Sequence, residues 1–457
     1  MSTCLIKNIH TLVTMDDERQ EIRNGAIFIR DNVIEQIGTT DVLENDELAV
    51  AADDILDLKG RHVVLPGLIN THHHFFQTLT RAVPAAQNGT LFNWLQTLYP
   101  MWSKLTSQGI YASAQMAAAE LMLSGCTTAS DHLYLFPNDC TLDDEIRAVQ
   151  DIGLRFHASR GSMSVGESQG GLPPDSLVEK EADILKDSQR LIEQYHDNNR
   201  HAMTRMVLAP CSPFSVTQNL MRESATMARQ FPGVRLHTHL AENKSDVDYS
   251  LEKFGLRPGD YAESVAWLGD DVWHAHCVQL SDNAIQKFAK TGTGVAHCPC
   301  SNMRLASGMA PIRKMLDQGV PVSIGVDGAA SNDASNLLQE SRAAFLMARV
   351  REQNAAAMTA RETLELATRG GAKVLGRDDI GHLAPGMSAD FIAFNIDTPA
   401  FVGSHHDIVA ALVFCQPPSV DYSFINGKVV IDRGRLVTAN LEQLVKTCNQ
   451  LATALMD

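Results

Sequence analysis

The sequence predicts a (β/α)8 barrel joined to a composite β-sandwich that both chain ends build. Three observations carry this. The middle of the chain alternates strand-like and helix-like segments, the pattern of parallel strands wound with helices. The two ends instead show short strand runs separated by turns. Histidines and acids collect at the last residues of the middle strands, where barrels place their chemistry.

The N-terminal part, 1–62, reads as CLIKNIHTLVTM, GAIFIRDNVIEQIG and ADDILDLKGRHVVLPG, with turns at Asp-Asn 31–32 and Gly-Arg 60–61. The barrel, 63–375, has strand candidates HVVLPGLI, TTASDHLY, LRFHASR, RMVLAPC, VRLHTHLAE, VWHAHCV, GTGVAHCPC and PVSIGVD. Amphipathic stretches such as SAQMAAAELMLSG and NLMRESATMARQF supply helices between them. The C-terminal part, 376–457, returns to strands in ADFIAFN and YSFINGKVVIDRGRLV, where Asn-Gly at 426–427 signals a hairpin. LEQLVKTCNQLATALMD closes the chain with helical spacing.

Composition is that of an ordinary globular chain, 44% hydrophobic and 20% charged over 457 residues. The net charge of −16 repels phosphate backbones and anionic lipid, so neither nucleic acid nor membrane is an expected partner. No signal peptide is apparent at the start, and no apolar run approaches the ~18 residues of a membrane helix. Nine scattered cysteines suit a reducing cytoplasm. Cys298 and Cys300 form C-P-C, which is not the C-x-x-C of a zinc knuckle.

The first barrel strand ends in His72, His73 and His74. Side chains two apart on a strand point the same way, so His72 and His74 can meet one ion while His73 faces elsewhere. His239, His276 and Asp327 end other strands. Imidazoles with one carboxylate are borderline ligands that suit Zn²⁺, or Fe²⁺ in the same place.

PGLINTHHH, HTHLAE, HAHCVQLSD, HCPCSN and SIGVDGAASND together resemble the amidohydrolase superfamily, in its mononuclear aminohydrolase and chlorohydrolase group. The resemblance extends over the whole chain, including GHLAPGMSADFIAF near its end. It implies metal ligands His72, His74, His239 and Asp327. His239 is the ligand of an H-x-x-E unit completed by Glu242, and His276 matches the sixth-strand histidine. No strand lysine suggests a bridged second ion, so one divalent metal per chain is expected. In this chemistry Asp327 takes a proton from the metal-bound water, and Glu242 carries protons to the ring nitrogen and the leaving amine. His276 holds the hydroxide and the tetrahedral oxyanion.

His237 shares a face with His239, and His274 with His276; the resemblance favours the second of each pair. His297 is read as structural or lining, and His73, His132, His157, His405 and His406 stay unassigned.

The stretch HHHFFQTLTRAVPAAQNGTLFNWLQTLYPMW, with SGCTTASDHLY, HASRGSMS and APCSPFSV, resembles the 8-oxoguanine deaminase branch. That branch hydrolyses a free oxidised base to urate and ammonia; hydroxylated s-triazine aminohydrolases and guanine deaminases are the neighbouring alternatives. Cys211 stands where nucleoside deaminases carry a histidine, which points to a base without its sugar. Gln77 and Arg160 are the expected partners for carbonyl and N–H edges. Trp102, with Trp94 and Phe214, is a candidate wall for a planar ring, and Arg81 serves equally well in a structural ion pair. A barrel kept only for binding is the reading of another class; the complete ligand set argues against it. A cytidine-deaminase zinc fold lacks its P-C-x-x-C here. The expected partner is a small heterocyclic base, and a homo-oligomer is the expected assembly.

Overall fold

Eight parallel strands form the barrel in simple sequence order: Leu68–Asn70, Cys126–Leu133, Arg155–Ser162, Thr204–Pro210, Arg235–Leu240, Val272–His276, Gly294–His297 and Val322–Ile324. The computed structural model describes the chain apart from Met1, Glu47, Leu48, Val50, Gln416, Pro418 and Asp457. The eighth strand returns to the first, where the Thr71 N–H donates to the Ile324 carbonyl at 3.1 Å. Nearly every strand position is buried, as expected of parallel strands covered on both faces. Helices Ser107–Leu123 and Gln218–Ala228 occupy the two amphipathic stretches, each opened by a threonine that caps it.

The two chain ends meet in one nine-stranded sheet. His62–Pro66 from the N-terminal side pairs antiparallel with Phe391–Asn395 from the C-terminal side. Alternation along the strands buries both faces: Leu5 and Phe28 enter one core, and Ile6, Ile27 and Ile29 another. The predicted hairpin is present, with Asn426 at φ 52° and Gly427 at φ 75° between Tyr422–Ile425 and Lys428–Asp432. The closing helix, Leu441–Met456, packs on Ser107–Leu123, and the Cys448 thiol donates to the Ala112 carbonyl at 3.4 Å.

One sequence reading needs correction. HVVLPGLI is not a single barrel strand: His62–Pro66 belongs to the terminal sheet and only Leu68–Asn70 to the barrel. The chain changes sheets at Gly67, where a Cβ would lie 2.0 Å from the Thr127 hydroxyl, so only glycine allows the approach.

A candidate metal centre at the mouth of the barrel

Strands one, five, six and eight deliver their last side chains to one point inside the barrel. His72, His74, His239, His276 and Asp327 are all buried there. The backbone is bent to do so: Ala241, His276, Cys277 and Asp327 have φ between 51° and 69°, a conformation non-glycine residues adopt at a cost.

Outer hydrogen bonds set which ring nitrogen faces the centre. His74 Nδ1 donates to the His132 carbonyl at 2.7 Å, and His239 Nδ1 to the Cys211 carbonyl at 2.6 Å. His237 Nδ1 donates to the Trp273 carbonyl at 3.0 Å, so its Nε2 accepts from His72 Nδ1 at 2.8 Å. All three rings therefore turn a bare Nε2 lone pair inward. His237, which parity alone could not separate from His239, holds His72 from behind.

These donor atoms are spaced for a cation. His74 Nε2 lies 3.1 Å from His239 Nε2, and Asp327 Oδ1 lies 3.3 Å from both His72 Nε2 and His74 Nε2. Ligands ~2.0–2.1 Å from a tetrahedral ion sit roughly 3.3 Å apart. Without a cation, facing lone pairs at such distances would repel, and His72 Nε2 is buried with no hydrogen-bond partner among the described residues. Burial lowers the pKa of His72 and His239 and brings that of His74 down to about 3, which keeps the rings neutral, as ligands must be.

Two more groups face the same space. Glu242 follows the fifth strand; its N–H donates to Asp246 Oδ2 at 2.8 Å, and its Oε1 has no partner among the described residues. Its Oε2 is 3.6 Å from His276 Nε2. Burial, then the charges of Asp246 and Asp327, raise the Glu242 pKa well above the ordinary range. His276 directs Nδ1 to Asn302 Oδ1 at 2.9 Å, leaving Nε2 toward the two carboxylates.

Above the centre lies a narrow pocket. Gln77, Cys211, Trp94 and Phe214, the residues expected beside a planar ring, are among those lining it. A larger groove lies elsewhere, over the terminal sheet around Ile55 and Val437, and has none of the histidines.

Two expected substrate contacts are displaced. Arg160 does not line the pocket. Ser159 meets Ser130 inside the barrel at 3.3 Å, so alternation sends Arg160 outward, where it pairs with Glu179 at 2.7 Å and Asp187 at 2.8 Å. Trp102 is fully buried behind the wall, its indole N–H donating to Thr80 Oγ1 at 3.1 Å; Trp94 stands in front of it. Arg81 pairs with Glu120, the structural alternative. His297 is buried beside the sixth strand's end, and His132 joins the histidine cluster, stacked on His239 at 4.9 Å. Sequence reading missed Tyr99, Tyr134, Leu91, Leu95 and Leu305 in the pocket wall. It also missed Ser301 and Ser331, whose hydroxyls donate to Asp327 Oδ2 at 2.5 and 3.0 Å. Their presence in HCPCSN and DGAASN was the available signal.

With this geometry in hand, likeness to known proteins is informative. The amidohydrolase family pattern matches residues 63–430. Over 398 residues the chain is 47% identical to the 8-oxoguanine deaminase of Pseudomonas aeruginosa, covering 87% of this chain and 88% of that protein. It is 36% identical over 447 residues to the hydroxydechloroatrazine ethylaminohydrolase of Pseudomonas sp. (strain ADP), covering 95% and 92%. The crystal structure of atrazine chlorohydrolase TrzN from Arthrobacter aurescens TC1, complexed with zinc, superposes with a TM-score of 0.93 at 34% identity, over 98% of this chain and all of that one. That zinc and the inward lone pairs here support a divalent metal. The chain belongs to the amidohydrolase family.

Proposed function

We propose that this chain is a zinc-dependent deaminase of free 8-oxoguanine, converting it with water to urate and ammonia. The observation that carries the reading is the buried Glu242 carboxyl, whose Oε1 has no hydrogen-bond partner among the described residues, facing a ligand-like His/Asp cluster beneath a narrow pocket. The 47% identity to an 8-oxoguanine deaminase supports the choice of base.

His72, His74, His239 and Asp327 hold the ion. When bound, Zn²⁺ lowers the pKa of a coordinated water towards ~7 and so makes a nucleophile available at neutral pH. Asp327 accepts the proton that attack at C2 of the base releases; the Ser301 and Ser331 hydroxyls fix its carboxylate. Glu242, with its raised pKa, protonates the adjacent ring nitrogen; recharged with the proton that Asp327 accepted, it then protonates the departing 2-amino group, which leaves as ammonia. His276 holds the oxyanion that develops at C2. Gln77 reads a carbonyl or N–H edge, Cys211 leaves the sugar side without an imidazole, and Trp94 and Phe214 sandwich the ring. With all nine cysteines free, a reducing cytoplasm is the compartment that fits, and we expect a homo-oligomer.

The test is steady-state assay of urate and ammonia release from 8-oxoguanine, guanine, an adenine nucleoside and a hydroxy-aminotriazine, with elemental analysis of the same preparation. 8-Oxoguanine should lead, with guanine at least about 100-fold lower in kcat/KM, because a site built for the 8-oxo group leaves polar partners unpaired without it. One zinc per chain should be found. Faster turnover of guanine or the triazine overturns the substrate, and two metal equivalents overturn the mononuclear centre.

A further inference from the structure

We propose that Glu340 is a positioning residue for this chemistry, tying together the two loops that orient His276 and Asp327. The inference rests on the catalytic reading above. Glu340 lies in the first turn of helix Leu337–Glu352 and is 1% exposed. It touches none of the candidate catalytic groups, yet its partners Cys300 and Asn332 lie one or two residues from most of their supports.

Its Oε1 accepts from the Cys300 backbone N–H at 2.8 Å. Cys300 immediately precedes Ser301, which donates to Asp327 Oδ2, and Asn302, which accepts from His276 Nδ1. Its Oε2 accepts from the Asn332 side-chain N–H at 2.9 Å. Asn332 follows Ser331, the second hydroxyl on Asp327 Oδ2, and also donates to the Val326 carbonyl at 2.6 Å, one residue before Asp327. One carboxylate therefore bridges the loop after the seventh strand, which winds into the short helix Pro299–Arg304, and the loop after the eighth. Cutting the bridge frees two loops whose hydroxyls share a single oxygen of Asp327.

A buried carboxyl is costly unless donors meet it, and here one donor comes from each loop. Burial pushes its pKa up to about 7, while the Cys300 and Asn332 bonds favour the charged form. Both oxygens must accept, which an amide cannot do. In Glu340→Gln one end of the side chain presents N–H to N–H, so one loop loses its tie.

Displacing a catalytic group by about 1 Å can cost roughly 100-fold in rate. We therefore expect Glu340→Gln to lower kcat about 10- to 100-fold per metal-loaded chain, with KM within about threefold and one metal retained. Asn332→Ala removes the second tie together with the bond to the Val326 carbonyl and should also lower kcat. The double variant should fall by less than the product of the two single losses, because both cut the same bridge. A purely structural role predicts a lower Tm with kcat per bound metal unchanged, and that outcome overturns the proposal. Should Glu340→Gln fail to fold, an unaltered kcat in Asn332→Ala does the same. If Glu242→Gln and Asp327→Asn keep their activity, the catalytic reading has failed; if both lose it while the Glu340 and Asn332 variants do not, only this inference has.

Discussion

The two ends of the barrel handle buried charge in opposite ways. At the base, Arg155 is wholly buried and gives Asp390 two hydrogen bonds, at 2.7 and 2.9 Å, and two more to the carbonyls of His201 and Ala202, both at 2.8 Å. Arg377 and Asp379 form a second two-pronged pair close by. Arg155 opens the third barrel strand and Asp390 precedes a strand of the terminal sheet, so the pair joins the two parts of the chain. At the mouth, His72 Nε2 and Glu242 Oε1 are as deeply buried and have no partner among the described residues. Paired charges at the base serve stability; unpaired polar atoms at the mouth are stability given up to keep lone pairs and a proton available.

The contrast breaks first at Glu242. Glu242→Gln fills the same space and cannot move a proton, so kcat should fall by about 10³-fold or more with metal retained. Metal analysis and single-turnover assay check this, and near-normal kcat would remove the proton-transfer role. Asp390→Asn is the matching cut at the base. Removing one partner of a buried ion pair costs about 3–5 kcal/mol, so the unfolding midpoint should drop while kcat of the folded fraction stays put. Denaturant titration beside activity decides it, and a loss of kcat at full folding would mean that the base also tunes the site.

A third, smaller effect lies behind the first strand. Asp131 and Glu145 are both fully buried and face one another, and Asp131 Oδ1 accepts from the Phe75 N–H at 2.6 Å, the residue after His74. Burial, then their mutual charge, raises the pKa of Asp131, and burial raises that of Glu145, so the pair keeps a proton that the unfolded chain would release. The folded state thus binds more protons than the unfolded, and stability falls as pH rises above the usual carboxylate range. In Glu145→Gln an amide N–H replaces the shared proton, so its Tm should decline less between pH 6 and 9. Parallel Tm curves for the two proteins would mean no proton is shared.

Much of this was legible from local pattern. Period-two and period-3.6 stretches marked strands and helices, because each element must bury one face whatever its neighbours. The histidines and Asp327 were legible because barrel chemistry sits at strand ends, and the ends carry the polar residues; Glu242 was legible only through the family resemblance. Which parity faces inward was not legible: Arg160 and Ser159 are equally plausible until the neighbouring strand brings Ser130 against Ser159. Depth was not legible either. His237 and His239 share a face, but two residues of strand separate them by about 6.6 Å along the barrel, enough to make one a ligand candidate and the other its support. Sequence spacing by itself determined the kinds of groups at the mouth and the strands that carry them. Only the closed barrel decided their facing, their layer and their partners, because hydrogen bonds such as Glu340 to Cys300 and Asn332 join residues that chain distance keeps apart.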